Sequence, residues 1–146
     1  MNLPLPVREP AAPQAHDLEE ARRDPTLSTP YCRAELGWEG PLPLLRFAGA
    51  LLGEEAEPLA AFLEKVHARL VELGCREVTL DFRRFELVSP IAFNGFVHWV
   101  SLVQAAPTNA RYRIRFLADR ERTWQRVALY VLQGLGGDIV AGTEAS

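Results

Sequence analysis

The sequence predicts an α/β domain in which a mixed, mainly parallel sheet of about five strands has its helices chiefly on one face. The first observation is that the apolar periodicity alternates between strand-like and helix-like segments, in the order β-β-α-β-α-β-α-β. Alternation of this kind after an opening strand pair is typical of parallel crossovers. The second observation is that the predicted strands carry a polar residue at every second position. Strands covered by helices on both faces would be almost continuously apolar, so one sheet face should be polar.

Residues 1–30 are predicted to form a flexible N-terminal tail, and residues 31–146 the α/β domain. Eight of the 11 prolines lie within residues 1–43, and residues 1–30 show neither a helical nor a strand period. Proline fixes φ and lacks a backbone donor, which disfavours regular structure. The segment 16–24 is the one candidate helix in the tail, but its apolar face is small.

Two strands and a helix open the predicted domain. The strands cover 31–36 and 44–50, and the helix begins at Glu57-Pro58, where a proline in the first turn costs no hydrogen bond. Gly74 ends the helix, as glycine commonly does. The apolar residues of this helix recur at helical spacing and should face the sheet: Leu59, Phe62, Leu63, Val66, Leu70 and Leu73.

The remaining strands and helices alternate along the chain. Period-2 and period-3.6 patterns predict a strand at 77–82, a helix at 90–105, a strand at 111–117, a helix at 120–135 and a strand at 138–141. The residues expected beneath the helices are Val78, Leu80, Phe82, Ile114 and Phe116. The residues expected on the polar face are Arg46, Asp81, Arg113 and Arg115, with Asp81 beside an arginine.

The composition is that of one globular domain. The chain has 146 residues, of which 48% are hydrophobic and 24% charged. A net charge of −3 gives no attraction to nucleic acid or an anionic membrane, and no apolar run approaches the roughly 20 residues of a membrane span. The N-terminus lacks the basic and apolar regions of a secretory signal. Cys32 and Cys75 are isolated thiols without metal-site spacing, so we expect a cytoplasmic protein.

The sequence gives no support for catalysis, a metal or a cofactor. The three histidines are scattered, and neither HExxH, GxSxG nor a phosphate-binding GxxxxGK[ST] occurs. The glycines of segment 134–138 follow a helix, which is typical of a helix end and not of a phosphate loop. Asp81 and Glu86 form a carboxylate pair with no nucleophile beside them. We therefore expect a protein that is not an enzyme.

Six arginines lie between Arg111 and Arg126. A strand alternation places three of them on one sheet face, while Tyr112 and Phe116 point the other way. Binding of single-stranded nucleic acid requires aromatic side chains interleaved with the basic ones, so solvated or ion-paired arginines are the better interpretation.

The dipeptide Ser89-Pro90 stands where the predicted strand leads into helix 90–105. Ser89 suits the N-cap, and Pro90 suits the first helical position. Two other interpretations stay open: a phosphorylated switch, whose charge would be favourable at a helix N-terminus, and the remnant of a switch that this chain has lost. The residues of this helix predicted to face inward are Phe93, Phe96, Val97 and Val100.

The stretch REVTLDFRRFELVSPIAFNGFVHWV, together with the order of elements, resembles a STAS domain, the fold of bacterial anti-sigma-factor antagonists. In that family a strand ending in Asp leads through an apolar pair and Asp-Ser-Ser-Gly or Asn-Ser-Ser into a helix. Here Asp81 corresponds to the Asp of the strand, Leu87-Val88 to the apolar pair, Ser89 to the Asp or Asn of the loop and Pro90 to the phosphorylated residue. The resemblance covers about residues 31–142, but the Ser-Ser signature is absent.

The resemblance implies a non-enzymatic regulatory protein that binds an anti-sigma-factor, a serine-kinase-like protein or another protein of a STAS network. A partner would dock around segment 86–99, and Ser89 is the one candidate phosphate acceptor nearby. Two alternatives stay open, namely a scaffold module that forms homo-oligomers and a domain that binds a small ligand in a cleft. The candidate partner contacts are Ser89, Pro90, Asn94, His98 and Ser101.

Overall fold

The computed structural model describes residues 24–145, with side chains described as far as residue 142. These residues form one six-stranded sheet whose spatial order follows the chain from β1 to β6. The first three strands pair antiparallel, and β3 to β6 pair parallel, which confirms the predicted mixed, mainly parallel α/β sheet. The strands are β1 (Thr26–Ser28), β2 (Cys32–Glu39), β3 (Leu42–Leu51), β4 (Glu77–Val88), β5 (Arg113–Asp119) and β6 (Val140–Ala145).

Three helices connect the successive parallel strands. They are α1 (Ala56–Glu72), α2 (Pro90–Ala105) and α3 (Thr123–Gly136), with short 3-10 turns at Gly53–Glu55, Thr108–Ala110 and Gly137–Ile139. Helix α2 packs between α1 and α3. Because the inward side chains of all three helices belong to the same core, the helices cover one face of the sheet, as predicted.

The core lies between this face of the sheet and the helices. All five strand residues predicted to be buried there are buried, namely Val78, Leu80, Phe82, Ile114 and Phe116. An aromatic cluster occupies the centre, with Phe47 and Phe96 in contact across the layers at a ring-centroid distance of 5.1 Å. Phe82 and Phe85 of β4 meet edge to face at 4.8 Å, a favoured geometry for aromatic pairs.

The opposite face of the sheet is polar, which confirms the second prediction. Arg46, Arg113 and Arg115 are exposed there. Asp81 is only 6% exposed, because Arg83 lies over it with Nη2 at 2.9 Å from Oδ2. We call this surface the open face; it carries residues of β2 to β5 that point away from the helices.

Strand β4 is longer than its alternation predicted. The prediction placed its end at residue 82, with Asp81 as the last polar position, but the strand continues to Val88. Asp81 therefore lies in the middle of the strand. The reason is that β3 continues to pair with β4, as far as Leu51 opposite Val88, beyond two register shifts.

Strand β1 lies within the segment predicted as a tail. Thr26 pairs opposite Glu35 of β2, and Leu27 is buried against the core. Asp24 accepts hydrogen bonds from Trp38 Nε1 at 2.7 Å and from Arg69 Nε at 3.2 Å. A three-residue strand offers too short an alternation to be recognised. The rest of the predicted tail, residues 1–23, lies outside the described residues, and with it nearly all of the candidate helix at 16–24.

Candidate functional site

Ser89 is the only residue between β4 and α2. Its backbone is extended (φ −68°, ψ 153°), and its Oγ accepts a hydrogen bond from the amide of Ala92 at 3.1 Å. Pro90 occupies the first turn, where its missing N–H has no partner to lose. The structure thus confirms that Ser89 is the N-cap of α2, the prediction made from the dipeptide.

This joint is held firmly to the sheet. The Ser89 amide donates to the Leu51 carbonyl at 2.8 Å, which ties the joint to the end of β3. The 3-10 turn that begins at Gly53 lies beside it, since a Cβ at Gly53 would be 3.7 Å from Ile91 Cδ1 and 3.8 Å from Ser89 Oγ. The ends of β3 and β4 and the start of α2 therefore form one packed corner.

Asn94, His98 and Ser101 lie on one exposed side of α2. Their spacing of four and three residues places them in a line along the helix. His98 Nε2 lies 3.5 Å from Glu64 Oε1 of α1, and the Ser101 hydroxyl donates to the Val97 carbonyl at 3.1 Å. The structure brings these three residues together on one side, with Ser89 and Pro90 at its N-terminal end.

Two exposed apolar side chains flank Ser89 along the chain and were not among the predicted partner contacts. Leu87 pairs opposite Ala50 and points away from the core, and Ile91 lies in the first turn of α2. Leu87 is 51% exposed and Ile91 is 64% exposed, on either side of Ser89. Ile91 precedes Asn94 by three residues and His98 by seven, so helical spacing alone would have assigned it to the same side. We call the set Leu87, Ser89, Ile91, Asn94, His98 and Ser101 the joint surface.

The inward side of α2 differs in detail from the prediction. Phe96 and Val100 are buried as expected, but Phe93 and Val97 are only half-buried. The buried side is rotated toward Gly95 and Trp99, and α1 approaches closely there: a Cβ at Gly95 would lie 2.9 Å from Leu59 Cδ2. The buried residues of α2 are Ala92, Gly95, Phe96, Trp99, Val100 and Val103.

A polar network lies at the other end of the helix layer. Trp99 Nε1 donates to Tyr112 Oη at 2.9 Å, and the same oxygen lies 2.7 Å from His67 Nδ1. The tyrosine hydroxyl therefore links Trp99 to His67 in one hydrogen-bonded chain. Burial lowers the pKa of His67 and raises that of Tyr112. Both groups are therefore held neutral and serve packing.

Asp81 has no free oxygen for acid or base chemistry. Burial raises its pKa, but the hydrogen bonds and charge of Arg83, together with the charge of Arg46, outweigh burial and hold the pKa below its ordinary value. Glu86 is exposed farther along β4.

Within residues 24–142, no three His, Cys, Asp or Glu side chains converge as metal ligands. None of the described helices is long and apolar enough to cross a membrane.

The sequence matches no protein-family model and no curated protein. Among solved structures, the crystal structure of an anti-sigma factor antagonist from Mycobacterium paratuberculosis has a similar fold, with a TM-score of 0.56. The match covers 80% of this chain and 92% of that chain, at 13% sequence identity. This similarity confirms the STAS-like fold that the sequence predicted.

Proposed function

We propose that this protein is a non-enzymatic regulatory domain that binds a protein partner through the joint surface. The observation that carries the proposal is the exposure of Leu87 and Ile91 on either side of a capped, sheet-bound Ser89. Apolar side chains that stay in water next to polar ones are typical of interaction sites. Because strand and helix already fix their positions, a partner would meet a preorganised surface and little ordering entropy would be lost on binding.

The class of partner is inferred from the fold. The similar solved structure is described as an anti-sigma factor antagonist. An anti-sigma-factor or a related serine-kinase-like protein is therefore the partner that we propose for this chain, and partner binding the mode of regulation.

Binding would not depend on loop phosphorylation. Pro90 has no hydroxyl, and the Ser89 hydroxyl is occupied as the acceptor of the α2 cap. We expect the intact mass to stay unchanged after incubation with a kinase-type anti-sigma-factor, while partner binding is retained. A phosphate mapped to Ser89 would instead restore the switch mechanism.

The test compares two exposed apolar positions of similar chemistry. Ile91→Arg changes the joint surface, whereas Leu73→Arg changes the leucine that caps the end of α1, which was wrongly predicted to face the sheet and is 46% exposed. Calorimetry with a purified anti-sigma-type protein that binds the wild-type chain should show a loss of affinity of about tenfold or more for Ile91→Arg and no loss for Leu73→Arg. Equal affinity of both variants, each folded as wild type by circular dichroism, would place the partner elsewhere.

Self-association through α3 is a second candidate function. Val127, Tyr130, Val131 and Leu135 are exposed along one side of α3, at helical spacing. This helix contacts β6, the last strand of the described sheet, so these side chains are carried by a helix next to an edge that no other described strand pairs with. Sedimentation velocity should detect a dimer that Tyr130→Lys disrupts; a monomer at high concentration would remove this candidate.

A further inference from the structure

Strand β4 contains a bulge that presents two arginines on the open face. Arg46 pairs opposite Asp81, but Ala48 pairs opposite Arg84, so β4 carries one more residue than β3 over this interval. The extra residue breaks the alternation, since Phe82 and Phe85 both enter the core while Arg83 and Arg84 between them are both exposed. A bulge of this kind redirects side chains and bends the strand.

Gln125 of α3 fixes the bulge from the core side. It is completely buried, and its Nε2 donates to the carbonyls of Phe82 at 2.6 Å and Phe85 at 2.8 Å. Its Oε1 accepts from the amide of Asp119, at the end of β5, at 2.7 Å. The two carbonyls that flank the arginine pair are thereby held in place, and the bulge is a fixed feature of the strand.

A cavity of about 610 Å³ opens over this region of the open face. In one row across the strands, Ala48 lies between Arg33 and Arg84. Neighbouring strands are about 4.8 Å apart, so the two arginine Cα atoms are roughly 10 Å apart, with only a methyl group between them. The charged residues that line the cavity are Arg33, Glu35, Arg46, Asp81, Arg83 and Arg84.

The side chains that line the cavity have a net positive charge, although the whole chain has a net negative charge. Four arginines and two carboxylates line the cavity, a balance of +2, whereas the whole chain carries −3. The charge of Arg83 is neutralised by its ion pair with Asp81. Among residues 24–142, no carboxylate lies within 4.0 Å of the guanidinium of Arg33, Arg46 or Arg84. Arg46 lies in the row between Glu35 and Asp81, which leaves Arg33 and Arg84 as the two arginines of the lining that pair opposite no carboxylate among the described residues.

We propose that this cavity binds a small soluble molecule that carries two or more phosphate groups. Guanidinium groups recognise phosphate through paired N–H donors, and several that line one cavity favour a ligand with multiple charges. The cavity volume lies within the range of small-molecule sites, roughly 300–1,000 Å³. The site is on the face of the sheet away from α2, so it is independent of the joint surface and of the proposed protein partner.

The test uses inorganic pyrophosphate as the probe. Calorimetry at low ionic strength should show one pyrophosphate bound per chain. The variant Arg33→Gln/Arg84→Gln should weaken binding by about tenfold or more, because each lost contact is a charge-assisted hydrogen bond. The matched control is Arg113→Gln/Arg120→Gln, which removes the same charge at exposed arginines outside the cavity lining. This control should bind pyrophosphate nearly as well as wild type.

Two results would overturn the proposal. One is the absence of pyrophosphate binding by the wild-type chain, and the other is an equal loss of affinity in the control variant, which would show attraction to overall charge only.

A second experiment distinguishes a soluble phosphate from a lipid headgroup, by co-sedimentation of the protein with vesicles of phosphatidylglycerol and phosphatidylcholine. Vesicle binding without pyrophosphate binding would assign the cavity to lipid headgroups and contradict a soluble ligand. Pyrophosphate binding without vesicle binding would support the proposal.

Discussion

Ser89 joins strand and helix through two separate hydrogen bonds, and only one of them uses its side chain. The amide bond to Leu51 is independent of residue type, whereas the bond from Ala92 to Oγ requires a side-chain acceptor. We expect Ser89→Ala to lower the free energy of unfolding by about 1 kcal/mol, and Ser89→Asp to retain stability, because aspartate also caps helices. Urea unfolding measures both, and an alanine variant as stable as wild type would contradict the capping role.

The free energy of unfolding should depend on pH through His67. Its folded pKa is lowered by burial, so the unfolded chain binds the proton more readily. The free energy of unfolding should therefore be fully present above the unfolded pKa of about 6.5 and should fall as the pH drops from that value towards the lowered folded pKa.

The measurement is urea unfolding of wild type and His67→Gln at pH 7 and pH 5. The variant should show a smaller loss of stability between the two pH values than wild type does. Asp81 does not affect the comparison, because its lowered pKa keeps the carboxylate charged at both pH values and both proteins contain it. An equal loss in both proteins would contradict the assignment to His67.

At the scale of elements, β4 is held by a side chain from another element. Gln125→Leu keeps the approximate volume but leaves the carbonyls of Phe82 and Phe85 and the amide of Asp119 without their partner. At about 1–3 kcal/mol for each buried group left unpaired, we expect a loss of several kcal/mol. The control Gln133→Leu changes an exposed glutamine of the same helix and should be close to neutral. Equal denaturation midpoints for the two variants would contradict the role of Gln125.

Elements were predictable where the chain follows a simple period. The alternation of Val78, Leu80 and Phe82 identified both the strand and its buried side. The same rule failed at Arg83-Arg84, because the bulge depends on Gln125, 40 residues or more away. The dipeptide Ser89-Pro90 was predictable as a helix cap because capping depends only on residues next to one another in the chain. The rotation of α2 could not be predicted from the sequence, since it depends on the close approach of α1 at Gly95.

At the scale of the whole molecule, the sheet separates two surfaces with different chemistry. The joint surface follows the outer side of α2 from its N-terminal end and carries exposed apolar and polar side chains. The open face carries arginines and a cavity. The polar strand positions predicted this division. The joint surface was predicted only in part. Helical spacing could have placed Ile91 beside Asn94, but the direction of Leu87 depends on the register shifts of β4, which the sequence does not show.

Hydrogen exchange of the free protein and of its complex with an anti-sigma-type protein tests most directly whether a partner binds at the joint surface. We expect slower exchange in peptides that cover residues 86–101 and the adjoining turn at Gly53–Glu55, with α3 and the open face unchanged. Protection confined to α3 and β6, or to the arginine-bearing strands of the open face, would contradict it.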